Sequence, residues 1–227
     1  QSHTYSIVLF IWLTLTLLIK LQFLLACYHV RLIFQLHLTV YYESRCPDSR
    51  VFIVEQLKPT INLLHEYLKL KLVPFGKADS INNGHGGFKC QHGPTECAGN
   101  MVQSCALDLM QERNNVEKVS YVTCEMQNEY VKRLFCFQCA TRAGLSSDDV
   151  IQCITSAKGN SLQLNAEYLT KLVRPKFIPT IIIGGVFNQQ LQDSSLRDLK
   201  GTLCSILKET PPCANHYNSL AMDYVLY

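Results

Sequence analysis

Charge is scarce in this sequence: Lys, Arg, Asp and Glu make up 17% of its 227 residues, and the net charge is +3. The basic residues are dispersed, and no Lys/Arg run interleaves with aromatics, so no nucleic-acid face is expected. No internal repeat is visible, which sets solenoid architectures aside. No Cys/His pair stands at finger spacing from Cys136-Phe137-Gln138-Cys139, so those cysteines read as structural half-cystines rather than a second redox pair or half a zinc site. No Asn-x-Ser/Thr sequon occurs, and N-glycan attachment is not expected. Cysteine, by contrast, is abundant. Eleven are too many for apolar filler in a reducing compartment, and they point to an oxidising one with several disulfides. Because eleven is odd, at least one thiol stays free, pairs with another molecule or leaves with a processed segment. The chain is long enough to bury a core, and one domain with insertions is the simpler reading.

The stretch Ile7 to Ile19 is almost wholly apolar, and Lys20 separates it from Leu21 to Cys27. A signal peptide has a basic start and an apolar region of about 7–15 residues. The apolar length fits, although no Lys or Arg precedes Lys20 and there is no initiator Met. Residues 1–26 are therefore expected to be a signal peptide. An uncleaved membrane anchor and an inexact gene start are the alternatives, since a span needs ~20 apolar residues and Lys20 interrupts this one.

Arg31 to Tyr42 is rich in Leu, Ile, Phe, Val and Tyr with neither Gly nor Pro, which predicts a central strand covered on both faces. An amphipathic helix should run from Asp48 to about Leu57, with Pro59 kinking it or opening a second turn system before Ile61 to Tyr67. Alternation from Leu68 to Val73 predicts a second strand, closed by Pro74 and Gly76, which completes a right-handed crossover unit. Beyond the turn at Asn82 to Gly87, a helix with Thr95 as N-cap would align Cys97, Met101, Cys105 and Leu109. Cys97 and Cys105 would lie two turns, about 11 Å, apart, beyond the ~7 Å Cα limit of a disulfide, so each needs a partner elsewhere. Tyr121 to Leu172 reads as mostly helical, with Ser146-Ser147-Asp148-Asp149 as a helix start and Gly144 and Gly159 as terminators. Phe177 to Ile183 is β-rich, Gly184-Gly185 signals a hairpin, Val186-Phe187 begins a return strand, and Ser194 to Leu207 closes with a helix.

This order of elements is α/β and has the plan of a thioredoxin-like fold. The domain would span residues 31–213, with a helical, disulfide-stapled insertion at about 79–172 between the N-terminal βαβ unit and the C-terminal ββα unit. Residues 214–227 would form a loose tail. In such folds a proline, usually cis, precedes the third strand and faces a redox cysteine, and Pro179 stands at that point. Its counterpart is Cys46 in Cys46-Pro47-Asp48-Ser49, where strand gives way to helix. Unpaired amides and the positive end of the macrodipole stabilise anions there, and such placements lower thiol pKa values from ~8.5 to roughly 3.5–7.5. Cys46 is the candidate nucleophile. Asp48 opposes a thiolate in the same turn, while the Ser49 hydroxyl could donate to the sulfur. The partner cysteine usual three residues on is replaced by Ser49, which cannot resolve a mixed disulfide. The resolving thiol must come from a small molecule, the substrate's second cysteine or a nearby protein cysteine, with the first two favoured.

The run Cys90-Gln91-His92-Gly93-Pro94-Thr95-Glu96-Cys97-Ala98-Gly99-Asn100-Met101-Val102-Gln103-Ser104-Cys105 resembles the signature of the gamma-interferon-inducible lysosomal thiol reductase family. The resemblance extends to Tyr41-Tyr42-Glu43-Ser44 before Cys46, to Cys139 and Cys153, to Phe177-Ile178-Pro179, and to Cys204 and Pro212-Cys213. It covers about Leu36 to Cys213 and departs from the vertebrate pattern at Ser49. It implies a secreted or lysosomal thioredoxin-like enzyme that reduces disulfides of unfolding proteins in acid. The lack of a sequon leaves a glycan-dependent route to the lysosome unsupported.

The resulting expectation is a thiol oxidoreductase with catalytic Cys46, Ser49 and Pro179. It would act on disulfide-bonded protein substrates, take a small-molecule thiol as reductant and need no metal or organic cofactor. It would meet a membrane only if the N-terminal segment is retained. The rival is a catalytically weak or inactive secreted member acting as a binding protein. His92 is expected to satisfy backbone groups in its loop rather than shuttle protons. Glu43 is expected to be a solvated strand-terminal carboxylate rather than a proton relay.

Overall fold

The computed structural model describes residues 12, 14–22, 35–128 and 137–214. The chain divides into two compact units, Gln1–Gln35 and Leu36–Tyr227. In the first, residues 14–22 are helical, and no described helix is long and apolar enough to cross a membrane. The expected cleavage point near Ala26 lies outside the described residues, as do Cys27, Cys136 and almost all of the expected tail.

The second unit is built on strand β1 (Leu36–Tyr42), which explains why the sequence there does not alternate. Leu38, Val40 and Tyr42 enter the main core with Phe52, Ile53, Leu57, Ile61 and Leu64. Tyr41 points the other way, into a second apolar cluster with Cys46, Val73, Phe75, Ile178 and Ile182. Each such side chain contributes about 1.5–3 kcal/mol when fully buried, so a strand serving two cores admits few polar residues. After β1 the chain turns into α1 (Pro47–Val51), widens into a π turn at Phe52–Leu57, and continues as α2 (Lys58–Leu64). Residues at both junctions stay right-handed helical, so Pro59 in the first turn of α2 does not break the run. The π turn just ahead of Pro59 supplies the slack that a proline requires.

Strand β2 (Leu68–Pro74) returns parallel to β1, in register from Leu36↔Leu68 to Tyr42↔Pro74. Two short strands, β3 (Asp79–Ser80) and β4 (Phe88–Lys89), then pair antiparallel, so strand rather than helix opens the stretch between β2 and the third strand of the main sheet. Helices α3 (Pro94–Leu109), α4 (Asn115–Gln127), α5 (Gln138–Arg142), α6 (Ser147–Thr155) and α7 (Ala157–Val173) follow. α3 starts one residue before the expected cap: Gly93 is the N-cap, and Pro94 fits the first turn, where an N–H is not needed. Ser146 caps α6 as expected. Gly159 ends nothing; it lies in the first turn of α7, and the break between α6 and α7 falls at extended Ser156, whose hydroxyl accepts the Lys158 amide.

Strand β5 (Thr180–Ile183) completes a three-stranded sheet of order β2-β1-β5, antiparallel to β1 from Leu38↔Ile183 to Tyr41↔Thr180. The expected return strand at Val186-Phe187 reduces to a single bridge, Ile183↔Val186. It is cut short because Asn188 caps α8 (Gln189–Ile206) through its side chain, so the helix starts five residues before the expected Ser194, and α8 bends at non-helical Asp198. Four disulfides join described residues: Cys90–Cys97, Cys105–Cys153, Cys124–Cys139 and Cys204–Cys213. Cys97 and Cys105 do find separate partners, and Cys139 bonds Cys124.

Candidate functional site

Cys46 is the free cysteine among the described residues, and it is buried, 7% exposed. It is the N-cap of α1, with extended backbone, and its sulfur accepts the Ser49 amide at 3.5 Å. Across the site the thiol faces the Ile178 carbonyl, 3.8 Å away, and the Ile178–Pro179 peptide that follows is cis. The structure therefore brings Cys46, Ser49 and the Pro179 segment together. Ser49 differs from expectation in one respect: its backbone amide, not its hydroxyl, reaches the sulfur. The hydroxyl is fully buried and accepts the Glu43 amide at 3.4 Å.

Glu43 closes the turn from the other side. Its carbonyl accepts the Cys46 amide at 3.3 Å, and its side chain runs inward rather than into solvent, with 0% exposed. Gly76 makes this possible, because a Cβ there would overlap the Glu43 side chain and the backbone sits at φ +60°. Glu43 Oε1 accepts the Lys77 amide at 2.7 Å, and Oε2 lies 3.4 Å from His92 Nδ1. Glu96, also fully buried, accepts the His92 amide through Oε1 at 3.2 Å and meets His92 Nδ1 through Oε2 at 2.5 Å. Burial pushes the Glu43 carboxyl above the usual range; the Lys77 amide opposes this, Glu96 adds to it, and His92 and the Lys77 charge oppose it. Among the described residues, the ligand atoms of Glu43, His92 and Glu96 form a group within 4.8 Å of one another that could hold a metal ion.

The start of α3 is bonded to the same turn. Asn100 Oδ1 accepts the Ser44 amide at 2.9 Å, and the Ser44 hydroxyl donates to the Glu96 carbonyl at 3.0 Å. Gly99 permits that approach, since a Cβ there would stand 2.5 Å from Ser44 Oγ. On the opposite wall, Gln192 in α8 donates to the Pro179 carbonyl at 3.0 Å and accepts the Ile181 amide at 2.7 Å, fixing the segment that faces Cys46. Sequence reasoning did not single out Gln192, Asn100, Glu96 or Gly76 for these roles. Only Glu96 left a local signal: Gly93-Pro94-Thr95-Glu96 has the spacing of an acidic residue reaching back over a helix start.

A second acidic group lies beyond Arg45. Burial raises the Glu125 carboxyl to about 7, against the pull of the Tyr121 hydroxyl and the Arg45 charge. Tyr42 and Tyr121, both buried, are pushed upward by burial and then by Glu125. Nothing in the sequence around Glu125 marked it.

The chain that builds this site has relatives among known proteins. A family model described as gamma interferon inducible lysosomal thiol reductase matches residues 37–143. The gamma-interferon-inducible lysosomal thiol reductase-like protein of Anopheles gambiae is 34% identical over 185 residues, covering 76% of this chain and 77% of that protein. The gamma-interferon-inducible lysosomal thiol reductase of Carassius auratus is 32% identical over 180 residues, covering 78% of this chain and 70% of that protein. Among solved structures, the oxidoreductase DsbA from Xylella fastidiosa matches with a TM-score of 0.51 at 14% identity, over 78% of this chain and 88% of that one. That likeness speaks to the fold alone, which is thioredoxin-like. Signature run, fold and sequence identity agree: the chain belongs to the gamma-interferon-inducible lysosomal thiol reductase family.

Proposed function

We propose that this protein is a thiol-disulfide oxidoreductase that reduces disulfides of protein substrates in an acidic secretory or lysosomal compartment, with Cys46 as its nucleophile. The observation that carries the reading is the setting of Cys46: an unpaired thiol at a helix N-cap, accepting the Ser49 amide and facing the carbonyl before cis Pro179. The Cys46 thiolate attacks one sulfur of a substrate disulfide, forming a mixed disulfide and releasing the other sulfur as a thiolate. A small-molecule thiol then attacks the substrate sulfur of the mixed disulfide, restoring Cys46 and leaving the substrate bonded to the small thiol; a second small thiol frees the substrate and becomes the oxidised pair. Ser49 contributes its amide to the sulfur but no resolving thiol. Pro179 shapes the wall against which a substrate backbone lies. The raised carboxyl of Glu125 fits an acidic setting, in which a buried acid is most easily kept neutral.

The buried Ser49 hydroxyl, bound to the Glu43 amide, favours one rival: a family member that binds partners without efficient turnover. One comparison separates the readings. The unaltered chain, Cys46→Ser and Ser49→Cys are each incubated at pH ~5 with a disulfide-bearing protein and a small thiol, a pH at which an ordinary thiol of pKa ~8.5 is only ~0.03% ionised. Reduction by the unaltered chain that is lost in Cys46→Ser supports the enzyme, and mass spectrometry should trap substrate on Cys46. Equal inactivity of all three refutes it. Turnover by Ser49→Cys alone identifies a site that has lost its second thiol.

A further inference from the structure

We propose that Glu43 Oε2, His92 Nδ1 and Glu96 Oε2 form a binding site for a divalent transition-metal cation of the zinc type, beside the Cys46 turn and independent of its thiol. The three atoms converge within 4.8 Å. Each carboxylate is oriented through its other oxygen, Glu43 by the Lys77 amide and Glu96 by the His92 amide. Both Oε2 atoms are thereby left to turn toward one imidazole nitrogen, which is the arrangement that outer hydrogen bonds impose on metal ligands. Glu43 supplies the independent sign of a ligand. Its side chain is fully buried, yet Oε2 accepts no hydrogen bond among the described residues and is aimed into the cluster.

Charge and geometry agree with a dication. Carboxylates bind a metal in their ionised form, so the two fully buried side chains would together present two negative charges, which one divalent ion offsets. Ligand bonds of ~2.0–2.1 Å in a tetrahedral set separate donor atoms by about 3.3–3.4 Å. The 3.4 Å between Glu43 Oε2 and His92 Nδ1 already matches. The 2.5 Å contact between His92 Nδ1 and Glu96 Oε2 is a hydrogen bond, so metal entry at Nδ1 requires the ring's other tautomer, the proton leaving Nδ1 and one arriving at Nε2 with no net release, and the contact widens. Two carboxylates and an imidazole suit zinc, iron(II) or manganese(II) and not thiolate-seeking copper(I), because no cysteine is among the three ligands. The ion would enter past His92, whose side chain is 38% exposed, and a water would complete the coordination. The ion carries no electrons in the thiol chemistry; it ties the end of β1 to the Cys90–Cys97 loop.

The test reads metal binding rather than activity, on the full chain carrying Cys46→Ser so that the thiol cannot bind the metal. Calorimetric titration with zinc at pH ~7, where an ordinary imidazole is mostly neutral, should give one ion per chain, and cobalt(II) should show the visible spectrum of a low-coordinate oxygen and nitrogen site. His92→Ala and Glu43→Gln should each weaken zinc binding at least ~10-fold, as ligand loss does, with His92→Ala folding normally because the ring is partly exposed. His85→Ala, in the exposed Asn82–Gly87 turn, should change nothing. No stoichiometric binding, or affinity unchanged in His92→Ala, overturns the proposal and leaves the cluster a proton-sharing group.

Discussion

Glu125 turns the acidic setting into a measurement at a single residue. Its folded carboxyl titrates at about 7 because burial outweighs Tyr121 and Arg45, whereas in an unfolded chain it would titrate near ~4.3. A carboxyl raised on folding binds more protons when folded, so its stabilising effect is complete below the unfolded value and is lost as pH rises through the folded one. The thermal midpoint should therefore fall as pH rises from about 4.3 to about 7, and Glu125→Gln should flatten that part of the profile. A midpoint that climbs over this range refutes the assignment. Individual residues were unequally legible in the sequence. Cys46 stood out because its chemistry is local: strand end, helix start and an adjacent proline announce it. Glu43 and Glu125 did not, because what alters them comes from distant segments. Gly76 and His92 enclose Glu43, and burial against other elements raises Glu125. An exposed acid and a buried one look identical in one dimension.

Among the elements, α3 gives the least ambiguous prediction, since it is held to the Cys46 turn by Ser44, Glu96 and Asn100. Gly99→Ala drives a methyl group to within 2.5 Å of Ser44 Oγ, which breaks the bond to the Glu96 carbonyl or pushes the helix away. Overpacking of this kind costs about 1–3 kcal/mol. Denaturant unfolding should show that loss, and alkylation of native Cys46 should change rate in the same variant. Gly76→Ala should be worse, because it combines overlap with Glu43 and a left-handed backbone that alanine resists. Element type was readable where the apolar run or the periodicity was long, as in the unbroken run of β1 and the periodic β2 and α3. The failures at Gly159, Ser194 and Val186-Phe187 share a cause: at each, a side-chain cap in the structure, Ser156 or Asn188, set the boundary over a local glycine or hairpin signal.

Across the whole molecule the disulfides differ in how much chain they constrain. Cys105–Cys153 spans 48 residues and joins α3 to α6, whereas Cys90–Cys97 and Cys204–Cys213 close loops of 7 and 9. Replacing Cys105 and Cys153 together by Ala should cost about 3–5 kcal/mol, more than replacing either short pair, because longer loops lose more unfolded-state entropy when closed. Equal losses for all pairs in urea titrations would refute that ordering. The sequence foretold an α/β plan and disulfide stapling because both follow from composition and order. It could not foretell pairing, which depends on packing between helices far apart in the chain. The sheet order β2-β1-β5 also sets a timetable. Synthesis proceeds from the N-terminus, so β1 and β2 can dock early, while Ile178 and Pro179, which cover Cys46, emerge some 130 residues after it. A nascent chain therefore carries the Cys46 thiol uncovered while other cysteines are still seeking partners. Short-range pairs such as Cys90–Cys97 close readily, and doing so early removes competitors before Cys46 can be captured by the wrong one.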